Sequence, residues 1–305
     1  MGKTIGVIMA VYNGRKYLYE QINSIIDQTL KVNEITIIDD FSIENSDDII
    51  YSFQNTVECN IRYIKHTENK GYSQTFFEAM MLTQTDYIFF SDQDDIWEKD
   101  KVETFIREMK KNNNITCLSC YNTLIDSYGN FLYKEKIPLK YLTRIDIESL
   151  IKQKTLRPGM TLAITKQLKD IMCNIDLNKY ESHDRLIEYV SALGGGFYTL
   201  SEYLNRYRIH DNNTSGVNLS LLKLRDDING RIDQIKKEVR YLNLIMPLNE
   251  KNIEFIKKYK HYYLQRLDLL ESKSVFRYIW KSIGILYGYS NKRIWFGDIL
   301  SIIRG

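Results

Sequence analysis

The chain has 305 residues, room for about two domains. Hydrophobic residues make up 44% and charged residues 27%, ordinary globular usage that excludes disordered and fibrous architectures. Three prolines and 15 glycines leave little for flexible linkers, and no run approaches the ~18 apolar residues of a spanning helix. The net charge of +3 is uneven: residues 216–305 carry 17 Lys and Arg against 9 Asp and Glu, or +8, and the rest −5. A basic tail by itself permits nucleic acid as a partner, so the front half has to decide.

In chain order, Thr4–Ala10 is an apolar strand, and Tyr17–Gln28 places Leu18, Ile22, Ile25 and Ile26 at helical spacing. Glu34–Asp39 predicts a second strand and Asp47–Phe53 a helix; Ile61–Lys65 and Ser73–Leu82 repeat the pair. Asp86–Phe90 is a fourth strand, and Lys99–Lys111 a charged amphipathic helix. This alternation predicts crossover units, hence an α/β fold with a mostly parallel sheet covered on both faces. Further strands are expected near Thr116–Tyr121, Gly159–Ile164 and Phe197–Leu200, with a helix at Asp184–Leu193. Gly194-Gly195-Gly196 then reads as that helix's cap and return. Beyond Asn218 the pattern is helical, Leu219–Met246 and Asn249–Leu270 forming a hairpin. Cys117 and Cys120 form a lone CxxC with no second pair, expected to be buried and reduced.

In such sheets the polar groups at the carboxyl ends of strands line the ligand crevice. Strand one ends in Ala10-Val11-Tyr12-Asn13-Gly14 and strand two in Asp39-Asp40-Phe41-Ser42. Strand three leads to Asn69-Lys70-Gly71-Tyr72-Ser73, and strand four to Ser91-Asp92-Gln93-Asp94-Asp95-Ile96-Trp97. Asp92, Asp94 and Asp95 repel one another, and a hard divalent cation, Mn2+ or Mg2+, removes that repulsion. No GxGxxG follows the first strand and no GxxxxGK[ST] occurs, so a metal rather than a glycine cradle is expected to hold a diphosphate.

The segments VIMAVYNGRKYLYEQINSIIDQT, IIDDFS, ENKGYSQTFFEAM and FFSDQDDIW resemble family 2 glycosyltransferases of the GT-A fold. The SDQDDIW form is similar to rhamnosyltransferase-like enzymes of bacterial polysaccharide synthesis. The resemblance covers about residues 3–215. It implies a GT-A catalytic domain over 1–216, followed by a helical region over 217–305. It implies that Ala10, Tyr12 and Asp40 lie near the nucleotide base, with Asp40 accepting from the ring N–H. It further implies that Asn69, Gly71 and Ser73 close over the nucleoside and donor, that Asp92 meets ribose and metal, and that Asp94 ligates the metal.

An inverting transfer needs one carboxylate to take the acceptor's proton. Glu181-Ser182-His183-Asp184-Arg185 offers Asp184 at a helix start, where the dipole favours an ionised carboxylate, and matches the family's base position. Glu181 is the fallback. Tyr207-Arg208-Ile209-His210 is similar to a family element whose His approaches metal or diphosphate, making His210 a third metal ligand beside Asp94 and Asp92, with Arg208 on phosphate. Gly159 lets backbone approach a ligand closely, and Trp97 is expected either to stack on a sugar or to lie beneath the metal loop.

Residues 273–305 hold six Lys and Arg, one acid, and seven aromatic rings. That mixture suits an anionic membrane surface, or else packing on the catalytic body or in a homodimer. The acidic crevice and the absence of a recognition motif argue against nucleic acid. The expected activity is a metal-dependent, inverting hexosyl transfer. The sugar would pass from dTDP-rhamnose or a UDP-hexose to a glycan acceptor, lipid-linked, at the cytoplasmic face of the cell membrane in surface polysaccharide synthesis. The rivals are a catalytically idle sugar-nucleotide-binding scaffold subunit and a nucleotidyltransferase. The latter typically needs a Gly-rich basic loop where this chain has only Ala10–Arg15.

Overall fold

A computed structural model describes residues 2–152, 156–176, 182–211, 228–248, 252–289 and 292–304. Two compact units are present: residues 1–145 with 157–210, and residues 146–156 with 211–305. The short segment at 146–156 thus joins the second unit, which sequence reading had left in the first. The expected boundary at 216 lies outside the described residues.

The first unit is built on β1 (Ile5–Val11), α1 (Arg15–Ile26), β2 (Glu34–Asp39), α2 (Asp47–Gln54), β3 (Asn60–Lys65), α3 (Tyr72–Leu82) and β4 (Tyr87–Ser91). The short β5 (Ile96–Trp97), α4 (Lys101–Lys111) and β6 (Cys117–Ile125) follow. After β7 (Phe131–Lys134) and β8 (Leu142–Arg144) come α5 (Ile147–Ile151) of the second unit, β9 (Leu162–Thr165), α6 (Lys166–Met172), α7 (His183–Leu193) and β10 (Phe197–Arg208).

The sheet runs β3-β2-β1-β4-β9-β6-β10-β5, with β7 beside β6 and β8 beside β10. β1, β2, β3 and β4 are mutually parallel, β9 runs against β4 and β6, and β6 pairs parallel with β10. The carboxyl ends of β1, β2, β3, β4, β6 and β10 therefore share one edge. The amino end of β9 meets it as well. Val, Ile and Phe side chains on both faces of the central strands exclude water: Val7, Ile8, Ile37, Ile38, Phe89 and Phe90 are all buried. Leu18, Ile22 and Ile25 of α1 and Val102, Phe105 and Ile106 of α4 cover one face as a single core. Cys117 and Cys120 are buried and free, as the strand reading expects. β10 is far longer than the four-residue strand predicted, because its polar residues Asn205 and Arg208 find partners inside the protein.

In the second unit, α8 (Ile228–Ile245) and α9 (Ile253–Glu271) pack together; residues 219–227 of the longer helix expected here lie outside the described set. α10 (Val275–Ser282), a 3-10 stretch Ile283–Gly288 and α11 (Lys292–Arg304) complete it. Its polar centre is Asp298, fully buried. It accepts from Arg231 at 2.9 Å, from Arg266 at 2.7 and 2.8 Å, and from the Tyr278 hydroxyl at 2.6 Å. Two guanidinium groups and a phenol neutralise and saturate one carboxylate, so the charge is tolerated without water.

Candidate active site

Strand order reverses between β1 and β4, the position at which open α/β sheets leave a crevice. Two features of the loops there hold the crevice edge in shape. Gln93 spans it, its amide nitrogen donating to the Tyr12 carbonyl at 3.0 Å and its oxygen accepting from the Tyr12 N–H at 2.8 Å. Asn13 (φ 49°) and Phe41 (φ 67°) both sit in the left-handed region, at the ends of β1 and β2. Such strained conformations persist where neighbouring bonds hold them, here Asn13 Oδ1 accepting from Ile43 N–H at 2.8 Å. Ala10 is the penultimate residue of β1, and Tyr12, just past the strand, is exposed.

The acidic loop after β4 divides its carboxylates. Asp95 is turned inward, accepting from the Arg208 N–H at 3.0 Å and from Asn205 Nδ2 at 3.2 Å. Burial, then the charge of Asp94, pushes its carboxyl up to about 7. Asp92 is pushed well above the usual carboxylate range by burial and then by Asp95, Asp94 and Asp184. Asp94 Oδ2 meets His210 Nε2 at 2.8 Å, and the His210 ring lies 5.1 Å from that of Tyr17. This repulsion among like charges is the condition that a bound cation relieves.

Arg208, expected on phosphate, is engaged within the protein beneath the acidic loop. Its side chain is buried, its Nε donates to the Asp94 carbonyl at 2.8 Å, and its Nη2 meets Glu20 at 2.5 Å. The guanidinium lies 4.5 Å over the Tyr17 ring. Arg208 thus props the acidic loop from beneath. Trp97 is buried against Phe89 and under the Lys101 ammonium, so of its two expected positions the buried one is found.

Asp40 departs from expectation in a similar way. The carboxylate is buried; Oδ1 accepts from His66 Nδ1 and from the Lys70 N–H, both at 2.8 Å, and Oδ2 from the Gly71 N–H at 2.8 Å. Asn69 Nδ2 donates to the Asp40 carbonyl at 3.1 Å. The carboxylate therefore holds the 69–71 loop and caps the approach to α3, with its oxygens already engaged. Gly71 takes φ 84°, which a side chain disfavours. Ser73, in the first turn of α3, is buried with no partner for its hydroxyl among the described residues. Asp39 behaves as a strand-end cap, accepting from the Ser42 N–H at 2.7 Å.

Asp184 lies in the first turn of α7 and accepts from the Ser182 hydroxyl and, at 2.7 Å, from the Arg185 N–H. Its neighbour His183 is buried, its ring 4.2 Å from Phe76 and 5.6 Å from Phe90. Burial draws the imidazole down to about 4, so it is neutral at physiological pH. A Cβ at Gly159 would stand 2.8 Å from His183 Nε2, so only glycine lets the turn before β9 lie against the start of α7. Since β9 runs antiparallel to β4, this contact brings Asp184 to the edge that carries Asp92. The fallback base Glu181 lies outside the described residues.

Sequence reasoning missed the polar layer under the acidic loop. Lys101, on the helix expected to be charged and amphipathic, is fully buried and donates to the Met160 carbonyl at 2.8 Å. Burial pulls its ammonium down to about 8. The one available signal was its place at the start of α4, four residues after Trp97.

Among the described residues no three His, Cys, Asp or Glu side chains stand grouped to hold a metal ion. Asp94 and His210 supply a facing carboxylate–imidazole pair, and Asp92 is not joined to it. Mg2+ and Mn2+ sites commonly use one or two protein ligands completed by substrate phosphates, so this donor set fits a divalent cation bound with a diphosphate.

The description Glycosyl transferase family 2 matches residues 6–171. The dTDP-rhamnosyl transferase RfbG of Shigella flexneri is 30% identical over 223 residues, 70% of this chain and 75% of that protein. A glycosyltransferase of Nostoc, alr2836, is 29% identical over 214 residues, 68% of this chain and 66% of that protein, just under two thirds of its length. Among solved structures, Staphylococcus aureus TarS with UDP superimposes with a TM-score of 0.62 at 15% identity, over 86% of this chain and 71% of that one. The mannosyltransferase PcManGT of Pyrobaculum calidifontis, with GDP-Man and Mn2+, gives 0.59 at 13% identity, over 99% and 86%. These likenesses establish the GT-A fold of the first unit. With a family match over more than half its length, this chain belongs to glycosyltransferase family 2.

Proposed function

We propose that the chain moves one sugar from a nucleoside diphosphate donor to a hydroxyl of a glycan acceptor with inversion at the anomeric carbon. The observation that carries this reading is one sheet edge on which Asp94 faces His210 at 2.8 Å while the Asp184 carboxylate is near enough for its charge to disfavour ionisation of Asp92. Asp94 and His210 would hold Mn2+ or Mg2+, with Asp92 of the same loop toward the ribose; the cation would supply Lewis acidity that neutralises a departing diphosphate. Asp184 accepts the acceptor's hydroxyl proton as that oxygen attacks the anomeric carbon and the bond to the diphosphate oxygen breaks on the opposite face. Ala10 and Tyr12 border the nucleotide, and Asn69, Gly71 and Ser73 form the loop over it. Asp40 and Arg208 act through what they hold: Asp40 through that loop, Arg208 through the acidic loop.

dTDP-rhamnose is the first donor to test, supported by the likeness to RfbG, and UDP-hexoses come next. Thermal-shift screening of sugar nucleotides with Mn2+ is expected to give one preferred donor, followed by its slow metal-dependent hydrolysis without acceptor. Binding without hydrolysis in any member of the panel would favour an idle scaffold subunit.

The acceptor is proposed to be lipid-linked and the enzyme peripheral on an anionic membrane. Among the described residues no helix is long and apolar enough to cross a membrane. α10 nevertheless exposes Phe276 (81%), Ile279 and Trp280 (73%), and Ile283 just after it continues the same spacing. Arg277, paired with Asp268 at 2.8 Å, and Lys281 lie four residues apart on this helix, and Lys273 precedes it. Each basic group near an anionic leaflet contributes about 1 kcal/mol. The full chain should co-sediment with phosphatidylglycerol vesicles and not with phosphatidylcholine. Phe276→Ser with Trp280→Ser should release it. Unchanged binding would contradict this, and a dimer dissociated by the same changes would make the face a homodimer surface.

A further inference from the structure

His66 sits between two carboxylates. Its Nδ1 lies 2.8 Å from Asp40 Oδ1 and its Nε2 3.1 Å from Glu78 Oε2, with the ring almost wholly buried. Lys70 Nζ also meets Glu78 Oε2, at 2.9 Å, which draws the Glu78 carboxyl below its ordinary range despite its partial burial. Asp40 already accepts two backbone N–H groups, as an ionised carboxylate does. An ionised carboxylate only accepts, so both contacts are hydrogen bonds only if both ring nitrogens carry protons. A neutral imidazole would point one lone pair at a carboxylate oxygen. The charged groups meeting the ring are Asp40 from the end of β2 and Glu78 from α3, with Lys70 one step away. Asp39 turns to Ser42 and Tyr63 instead.

The partners of Asp40 are the backbone of Lys70 and Gly71, the loop that leads into α3. We propose that His66 is a positioning residue for donor binding: as an imidazolium bridging Asp40 and Glu78, it clasps the 69–71 loop in its donor-ready form. This rests on the reading of that loop as the one that closes over the nucleoside. Loss of one ring proton at higher pH replaces a charge-assisted bond with a lone-pair repulsion and loosens the loop. Glu78→Gln removes this dependence, because an amide donates to a neutral ring as readily as it accepts from a charged one.

The test follows histidine-ring 15N signals and amide exchange in the full chain between about pH 5 and 8, the range in which histidine charge changes. At the lower pH both nitrogens of His66 should be protonated. Protection of the Lys70 and Gly71 amides, corrected for intrinsic rates, should fall about tenfold as pH rises, the size of one lost net hydrogen bond. In Glu78→Gln it should stay level. A singly protonated ring at the lower pH, or the same fall in Glu78→Gln, overturns the clasp. Nucleoside diphosphate affinity with Mn2+ should weaken over the same range in the unmodified protein and not in Glu78→Gln. An affinity that ignores a loosened loop overturns the positioning role. Absence of nucleotide binding at every pH would instead sink the transferase reading, while the ring and exchange signals still decide the clasp.

Discussion

Asp184→Asn is expected to lower transfer about 10³-fold, inside the ~10²–10⁴ range of general-base contributions, and to leave nucleotide binding unchanged. Asn keeps the shape of Asp and can still accept from the Arg185 N–H and meet the Ser182 hydroxyl, so the first turn of α7 stays in place. What it loses is the ability to take a proton. Because Asp184 also bears on Asp92 through its charge, removing that charge should ease Asp92 ionisation rather than hinder it. Metal and donor should therefore bind at least as well as before. The measurement is a kcat for transfer beside a Kd for the nucleotide. Transfer that persists near the unmodified rate would place the base elsewhere. A parallel loss of nucleotide binding would mean that Asp184 serves the cation instead.

Asp94→Ala should have an effect of similar size on a different step. Donor hydrolysis and transfer should both fall about 10³-fold, the scale of losing one preorganised group that stabilises charge in the transition state. The Mn2+-dependent part of nucleotide affinity should vanish as well. The fold is expected to survive, since Arg208 is held by the Asp94 carbonyl and not by its carboxylate. His210→Gln should be milder, because an amide can still offer an oxygen to a hard cation. Full metal dependence in Asp94→Ala would show that the cation is held by other groups.

Much of this was legible before any coordinates. Continuous Val, Ile and Phe runs had to be buried strands, and β2 begins and ends where the pattern EITIID does. The strand-end rule then found the crevice, because a parallel sheet carries its loops of like polarity to one edge. The direction in which a polar side chain turns was not legible. Asp40 and Asp92 have the same residue type and comparable positions, yet Asp40 is saturated by His66 and the 69–71 backbone. That difference is made by residues 26 to 31 positions away. Arg208 was read from a motif as a phosphate contact, but Glu20 on α1 and the ring of Tyr17 draw it inward. Lys101 was hidden because helical periodicity marks a lysine as exposed, whereas the Met160 carbonyl, Asn205 Oδ1 and the Trp97 ring make its burial tolerable. His183 was placed correctly at a helix start. The aromatic cage that keeps it neutral comes from α3 and β4, which no local pattern could connect to it.

The most direct test of the central claim is anomalous scattering from crystals grown with Mn2+ and the nucleoside diphosphate of the preferred donor. One manganese peak is expected within bonding distance of an Asp94 carboxylate oxygen, His210 Nε2 and the diphosphate. A peak away from Asp94, or a diphosphate bound there with no manganese beside it, would contradict the account.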